Sequence, residues 1–315
     1  MDKQKTTAII YALLAAVFYA INVPVSKLLL QEVGPTTMAA LLYLGAGIGI
    51  GILSLLNKKD GKKSEKLSQR DFPYVIGMIV LDIAAPILLM LGISYGSSAN
   101  ASLLGNFEIV ATTVLALVIF KEAVSKRLWT AIALITLSSV LLSFEGAGSF
   151  QFSYGSLFVL AATICWGFEN NCTRNIASKN TYEIVVLKGI FSGLGALIIA
   201  LIKKEAMPGI IYIVAALILG FVAYGLSIFL YVRAQNILGA AKTSAHYAIA
   251  PFVGAFLSFV FLREQLSGMY IIALAVMIMG SILVVADTLF RHHAHQHSFT
   301  HTHDGVTHTH SVTFA

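Results

Sequence analysis

Charged residues are scarce in this chain, and their scarcity excludes most soluble architectures. Only 11% of the 315 residues are Asp, Glu, Lys or Arg, whereas 57% are hydrophobic and the mean hydropathy is +0.83. A soluble domain normally carries about 25% charged residues, so this chain has too little polar surface to face water. Lipid is therefore the expected solvent for most of it, and the composition predicts an all-α membrane protein.

Cysteines are also few, and the usual catalytic signatures are missing. Cys165 and Cys172 fall in one apolar segment, which argues against a disulfide framework. The sequence has no phosphate-binding loop, nucleophile elbow or H-E-x-x-H motif, so we expect neither an enzyme nor a resident cofactor. The basic residues behind the net charge of +6 gather in short loops. This placement is typical of topology signals, and no nucleic-acid partner is expected.

Ten apolar stretches, each close to the ~20 residues that a bilayer requires, run along most of the chain. A signal peptide is the alternative for the first stretch, but Asn22, Pro24 and an internal match favour a membrane span. The stretches are residues 7–30, 35–56, 73–94, 98–120, 128–145, 154–174, 181–202, 208–231, 241–262 and 267–288.

The second half of the chain repeats sequence features of the first half. A shift of 147 residues pairs Tyr19 with Trp166, and a shift of 142 pairs L-V-I-F-K-E at 117–122 with F-V-F-L-R-E at 259–264. The sequence thus predicts a first five-helix repeat over 1–144, a second over 145–290 and a disordered His-rich cytoplasmic tail over 291–315.

The lysines and arginines give the orientation. With the N-terminus inside, sixteen of the 21 fall in cytoplasmic segments, four fall outside and Lys188 lies within a span. Both termini are therefore expected in the cytoplasm, with the protein in the cell (inner) membrane. Because each repeat has an odd number of spans, the two repeats are expected to be inverted relative to each other.

The chain resembles the EamA type of the drug/metabolite transporter superfamily over about residues 7–288. The resemblance rests on ten spans in two halves, on Tyr19-Ala20 and Trp166-Gly167 in the first span of each half, and on the pairs Lys121-Glu122 and Arg263-Glu264 that close each fourth span. It implies a secondary transporter with a central cavity between the halves. The expected partners are the lipid bilayer and a small polar metabolite, such as an amino-acid-like compound.

Polar residues within the spans are the candidates for substrate binding. Trp166, Glu169, Asn170 and Thr173 share one helical face. Charged groups at this depth cost about 2.5–3.5 kcal/mol on insertion scales and usually face a cavity or a partner. The alternative for Glu169 is a purely structural role, in which it hydrogen-bonds a neighbouring helix.

The first span repeats this stripe with Tyr19, Asn22 and Ser26. We expect the two stripes to face each other across the centre. His246 and Tyr247, which open the ninth span, are weaker candidates for the cavity wall.

Glu108 and Asp82 are the candidate proton-coupling residues, since each is a carboxylate within a span. A structural ion pair with Lys188 is the alternative for both residues. Position 250, the equivalent of Glu108 in the second half, is alanine.

The C-terminal tail contains eight of the nine histidines, and imidazoles at this density bind Zn²⁺, Ni²⁺, Co²⁺ or Cu²⁺. The candidate ligands are His293, His295, His297, His301, His303, His308 and His310.

The sequence as a whole favours a metabolite exporter that works by alternating access, with proton coupling. Divalent metal efflux, or metal sensing without transport, is the alternative that the tail keeps open.

Overall fold

The structure is a computed structural model of the chain, and helices dominate it. It describes residues 3–56, 67–120, 124–145, 151–176, 179–238, 243, 246–264, 267–290, 296–303 and 306–313. In a lipid solvent each backbone N–H and C=O must be satisfied within its own segment, which is why apolar runs of this length become helices.

The described helices follow one another with short connections. They are α1 (Lys3–Ala20), α2 (Asn22–Leu29), α3 (Pro35–Leu56), α4 (Phe72–Tyr95), α5 (Ser98–Leu104), α6 (Phe107–Phe120), α7 (Lys126–Leu142), α8 (Tyr154–Ile176), α9 (Thr181–Ile202), α10 (Ile210–Gly220), α11 (Ser227–Leu238), α12 (Ala250–Leu262) and α13 (Gly268–Phe290). A 3₁₀ turn at Gln69–Asp71 precedes α4, and a π turn at Phe221–Leu226 joins α10 to α11.

Two antiparallel strand pairs complete the described secondary structure. Strands β1 (Phe144–Glu145) and β2 (Gln151–Phe152) pair between α7 and α8. Strands β3 (Gln296–His303) and β4 (Val306–Thr313) pair within the tail, where the sequence predicts disorder. The β-branched threonines of the tail favour strands.

Seven segments of the described ranges are long and apolar enough to cross a membrane. They are Gln4–Leu29, Pro35–Leu56, Gln69–Tyr95, Ser98–Ile119, Thr181–Ile202, Ile210–Ala234 and Gly268–Asp287. Helices also occupy the other three predicted spans, but α7 has 17 residues and α12 has 13. Helix α8 has 23 residues, but it is more polar than the seven segments because it contains Glu169, Asn170 and Asn171 in succession. The chain is thus an all-α, multi-pass membrane protein, and ten spans remain a prediction.

Two predicted spans of the first half are interrupted where the backbone cannot continue a regular helix. Pro24 lacks an N–H and its ring crowds the carbonyl four residues earlier, and the helix breaks at Ile21 between α1 and α2. Gly105 and Asn106 separate α5 from α6. Their amides bond the carbonyls three residues earlier, as in a 3₁₀ turn.

Glycines allow the central helices to approach closely. Helix α3 packs against α9, and α4 packs against α8. A Cβ atom added at Gly189 would lie 2.4 Å from the backbone nitrogen of Gly47, and one added at Gly155 would lie 2.6 Å from the Gly96 Cα. Such contacts between small residues hold helices together where lipid offers no hydrophobic driving force.

Candidate functional site

A buried cluster of three charged groups lies where α4, α8 and α9 meet. The Lys188 ammonium is 2.9 Å from Oε1 of Glu169 and 3.1 Å from Oδ2 of Asp82. The side chains of Asp82, Glu169 and Lys188 are 0%, 3% and 14% exposed. Removing charges from water costs several kcal/mol per ion, and the attraction between one ammonium and two carboxylates offsets only part of this cost. Such a cluster is a functional candidate by default.

Hydroxyl groups complete the shell around these carboxylates. The Tyr43 hydroxyl donates to Oδ1 of Asp82 at 2.9 Å, and the Thr173 hydroxyl donates to Oε1 of Glu169. Tyr43 comes from α3, so the cluster ties together four helices. Of the face predicted on α8, Glu169 contacts Lys188 of α9 and Thr173 bonds Glu169 within the helix.

Glu108 lies in the first turn of α6, directly after the helix break. Its Oε1 accepts a hydrogen bond of 2.6 Å from Nδ2 of Asn170, and the same nitrogen lies 3.3 Å from the Thr112 hydroxyl. The ion pair between Glu108 and Lys188 that the sequence left open is absent among the described contacts, because Lys188 pairs with Asp82 and Glu169. A helix N-terminus carries partial positive charge, which favours a carboxylate at this point.

The break between α5 and α6 also holds a polar group that sequence reasoning missed. Asn106 is 2% exposed, and its Nδ2 has no hydrogen-bond partner among the described residues. A buried amide without a partner is costly, and functional sites are one place where that cost is accepted. The adjacent Gly105 is the only signal in the sequence that marks this place.

Tyrosine rings form a second part of the site. Tyr224, in the π turn, accepts a hydrogen bond of 3.1 Å from Nδ2 of Asn22. Its ring centroid lies 5.2 Å from that of Tyr43 and 5.9 Å from that of Tyr19. The ring centroids of Tyr19 and Tyr247 lie 6.0 Å apart. The predicted stripe on α1 and α2 thus connects to the charged cluster through Tyr224 and Tyr43.

The remaining predicted residues take more ordinary positions. Trp166 is 7% exposed and belongs to the main apolar core. Tyr247 is partly buried, and its hydroxyl lies 3.3 Å from that of Ser227. His246 is partly buried beside it, in the short segment before α12.

Carboxylates from the second half cap two helix N-termini of the first half. Glu264 accepts hydrogen bonds of 2.8 Å from the backbone amides of Ser98 and Ala99 at the start of α5. Glu205 accepts hydrogen bonds of 2.8 Å from the Thr37 amide and 2.9 Å from its hydroxyl at the start of α3. Lys121-Glu122, the counterpart of Arg263-Glu264, lies outside the described residues.

The predicted metal ligands divide between described strands and undescribed residues. His297, His301 and His303 lie in β3, and His308 and His310 lie in β4. His293 and His295 lie outside the described residues. The part of the chain that the structure describes holds no group of three or more His, Cys, Asp or Glu side chains placed to bind a metal.

Membrane-spanning helices around a buried polar cluster are typical of membrane transporters, and comparison with known proteins supports this class. The sequence profile of the EamA-like transporter family matches residues 6–144 and 153–286, so the chain belongs to this family. These two matches cover most of the chain.

Two curated relatives are also transporters by name. An "Uncharacterized transporter" of Methanothermobacter thermautotrophicus is 26% identical over 86% of this chain and 83% of its own length. The "Uncharacterized transporter YyaM" of Bacillus subtilis is 22% identical over 78% of this chain and 82% of its own length. One solved crystal structure shares the fold, with a TM-score of 0.66 and 16% identity over 89% of this chain and 96% of that one.

Proposed function

We propose that this protein is a secondary carrier that exports small polar metabolites by alternating access. The observation that carries the proposal is the buried Asp82–Lys188–Glu169 cluster, which joins helices of both sequence halves. A purely structural helix bundle has little reason to bury three charges, since apolar residues of similar volume are often as stabilising. A cavity that takes up a polar substrate does have such a reason.

The proposed architecture is ten spans in two inverted five-helix repeats, over 1–144 and 145–290. Helix packing supports it, because equivalent helices pair with each other: α3 with α9, and α7 with α13. The turn at 105–106 in the fourth predicted span has an equivalent at 248–249 in the ninth. Discontinuous helices at matching places in two halves are a mark of transporter binding sites.

The Glu264 and Glu205 caps close one end of the molecule in this proposal. If both termini lie in the cytoplasm, as the distribution of Lys and Arg predicts, both caps lie at the outer face of the cell (inner) membrane. Each cap joins the second half to the first, so outward opening must break or shift these hydrogen bonds. The described conformation is then the one with its outer end closed.

Glu108 and Asp82 carry the coupled protons in this proposal. Glu108 has an amide partner, so it can gain or lose a proton without breaking an ion pair. Asp82 shares Lys188 with Glu169, so a proton on Asp82 changes the strength of the whole cluster. Protonation and deprotonation of these carboxylates would shift the equilibrium between the inward-open and the outward-open arrangement of the two halves.

Comparative metabolomics of cells and medium tests this function. Wild type, Glu169→Gln and an exposed control, Glu32→Gln, are expressed at equal levels. We expect wild type and Glu32→Gln to enrich the same metabolites in the medium, and Glu169→Gln to lose this enrichment because Lys188 loses one of its carboxylates. If the metabolite profiles of all three were identical to those of cells without the protein, the exporter proposal would be wrong.

Metal binding by the tail is a second candidate function, and strand register favours it. The backbone register of the two tail strands pairs His301 with His308. Imidazole nitrogens are ligands that suit Zn²⁺ or Ni²⁺.

This second function makes a different prediction from the first. A truncation after Arg291 would abolish Zn²⁺ binding by the purified protein. If cell-associated zinc changes with the tail while metabolites do not, metal efflux or metal sensing replaces metabolite export.

A further inference from the structure

We infer that a groove on the lipid-facing side of the protein binds an acyl chain of an anionic phospholipid, and that Arg233 holds the phosphate of this lipid. The groove lies between α3 and α10, and we call it the α3–α10 groove. It lies apart from the polar cluster around Lys188, since none of the residues of that cluster lines it. The lipid is therefore a second ligand, distinct from the transported substrate.

The α3–α10 groove is apolar throughout and open to the lipid. Every residue that lines it is apolar, and its volume is about 280 Å³. Three of the lining residues, Ile48, Ile52 and Ile218, are 46%, 54% and 57% exposed. The segments Pro35–Leu56 and Ile210–Ala234 that carry them are long and apolar enough to cross the bilayer. Hydrocarbon is therefore the expected occupant of the groove.

Two glycines of α3 give the groove its shape. A Cβ atom added at Gly45 would collide with the backbone of Leu217, and one added at Gly49 would collide with the ring of Phe221. The two helices touch at these points, so the groove is a narrow cleft along their contact. A flexible alkyl chain can follow such a cleft, whereas a second helix, about 10–12 Å across, meets it only with the tips of its side chains.

A cation lies at one end of this apolar surface. Phe229 packs against the same apolar cluster as the groove residues Leu53 and Phe221. The guanidinium carbon of Arg233 lies 4.6 Å from the centre of the Phe229 ring. This stacking uses the flat face of the guanidinium, whose N–H donors lie in its plane and match two oxygens of a phosphate.

The separation between the groove and Arg233 fits a phospholipid. Arg233 follows Phe221 by 12 residues, which corresponds to about 18 Å along a helix that rises 1.5 Å per residue. One leaflet of the hydrocarbon core is about 15 Å thick. A lipid whose phosphate contacts Arg233 therefore has its acyl chain at the depth of Phe221.

The charge of Arg233 selects the kind of lipid. A zwitterionic headgroup carries its own cation beside the phosphate, and Arg233 repels that cation, whereas an anionic headgroup offers only attraction. In the predicted orientation Arg233 lies at the cytoplasmic leaflet, and basic sites between spans at that leaflet suit anionic headgroups. An anionic phospholipid thus satisfies both the groove and the arginine.

Lipid titration followed by native mass spectrometry tests this inference. The purified full-length protein is freed of bound lipid in detergent and titrated with phosphatidylglycerol or phosphatidylcholine, both with palmitoyl and oleoyl chains. We expect phosphatidylglycerol to bind at least about tenfold more tightly, since the chains are the same and only the headgroup charge differs.

Substitutions separate the contribution of the headgroup from that of the chain. Arg233→Gln is expected to weaken phosphatidylglycerol binding about tenfold and to leave phosphatidylcholine binding unchanged, which also shows that the variant is folded. Ile218→Trp puts a bulky ring into the groove and is expected to weaken both lipids about fivefold.

Each variant has a matched control. Arg70→Gln removes an exposed cation elsewhere in the chain, and Ile272→Trp adds the same ring on α13 at a position that is 57% exposed, like Ile218. Both controls are expected to bind the two lipids like wild type.

Each outcome decides the inference. Equal affinity of wild type for the two lipids, or full preference for phosphatidylglycerol in Arg233→Gln, would overturn it. Unchanged lipid binding by Ile218→Trp would show that the chain lies elsewhere and would overturn it too. If wild type forms dimers that Ile218→Trp dissociates, the groove is an interface between two copies of this chain and the lipid inference is wrong.

Discussion

Replacing Lys188 by methionine is the sharpest perturbation of the charged cluster. Methionine keeps most of the lysine volume but leaves Asp82 and Glu169 without their ammonium. Both carboxylates are almost fully buried, at 0% and 3% exposure, so water screens them poorly. Breaking a buried pair by removing one partner costs about 3–5 kcal/mol, and we expect Lys188→Met to lose stability on this scale.

A second variant separates this stability effect from function. The triple variant Asp82→Asn, Glu169→Gln, Lys188→Met has the same shape with no charge, and apolar or neutral replacements of buried ion clusters are often neutral for stability. We expect it to recover most of the stability that Lys188→Met loses, yet to export nothing.

Thermal unfolding of the purified proteins in detergent, followed by tryptophan fluorescence, measures the effect. We expect wild type and the triple variant to unfold at similar temperatures, and Lys188→Met to unfold at a much lower temperature than either. An unfolding temperature of Lys188→Met equal to that of wild type would show that the cluster is not a tightly coupled buried unit. Metabolite export by the triple variant would show that the cluster is structural.

Three further predictions concern other parts of the molecule. Burial acts to raise the pKa of Glu205, but hydrogen bonds from Thr36 and Thr37 hold it below its ordinary value of 4.5. The stabilisation by this cap is therefore complete above pH 4.5 and lost as the pH falls through the lowered pKa, so the stability difference between wild type and Glu205→Gln should vanish on acidification. Gly189→Ala would force apart α3 and α9, since its Cβ would lie 2.4 Å from a backbone atom; we expect a loss of about 1–3 kcal/mol in unfolding measurements. Truncation after Arg291 is expected to remove Zn²⁺ binding in calorimetry while metabolite export stays unchanged.

Much of the helical layout could be predicted from hydrophobic stretches alone. The predicted spans 35–56 and 181–202 agree with the bounds of α3 and α9. Lipid demands long apolar helices, so composition and length determine these elements almost without tertiary information. The break at Gly105 and Asn106 was not predicted, because a single glycine within an apolar stretch is usually tolerated.

The site was predicted less completely, because helical periodicity shows which residues share a face but not which helix lies opposite. The structure brings Glu169 and Thr173, two residues of the face predicted on α8, into the charged cluster, and their role in substrate binding stays a prediction. Tyr43 and Tyr224 were missed, since a tyrosine between apolar residues has no distinctive spacing, and only the packing of α3 against the π turn brings the two together. For the same reason, the sequence could not decide between Glu108 and Asp82 as the partner of Lys188, and it gave no indication of the contact with Glu169.

Cysteine labelling of the site tests the central claim, alternating access, most directly. Asn170→Cys is made in a background with Cys165 and Cys172 replaced by alanine, since both are free thiols. A membrane-impermeant maleimide is applied from each side of the membrane, with and without an imposed proton gradient. The account predicts that Cys at position 170 reacts from both sides and that the gradient shifts reactivity from one side to the other. Reactivity from neither side, or from one side regardless of the gradient, would contradict it.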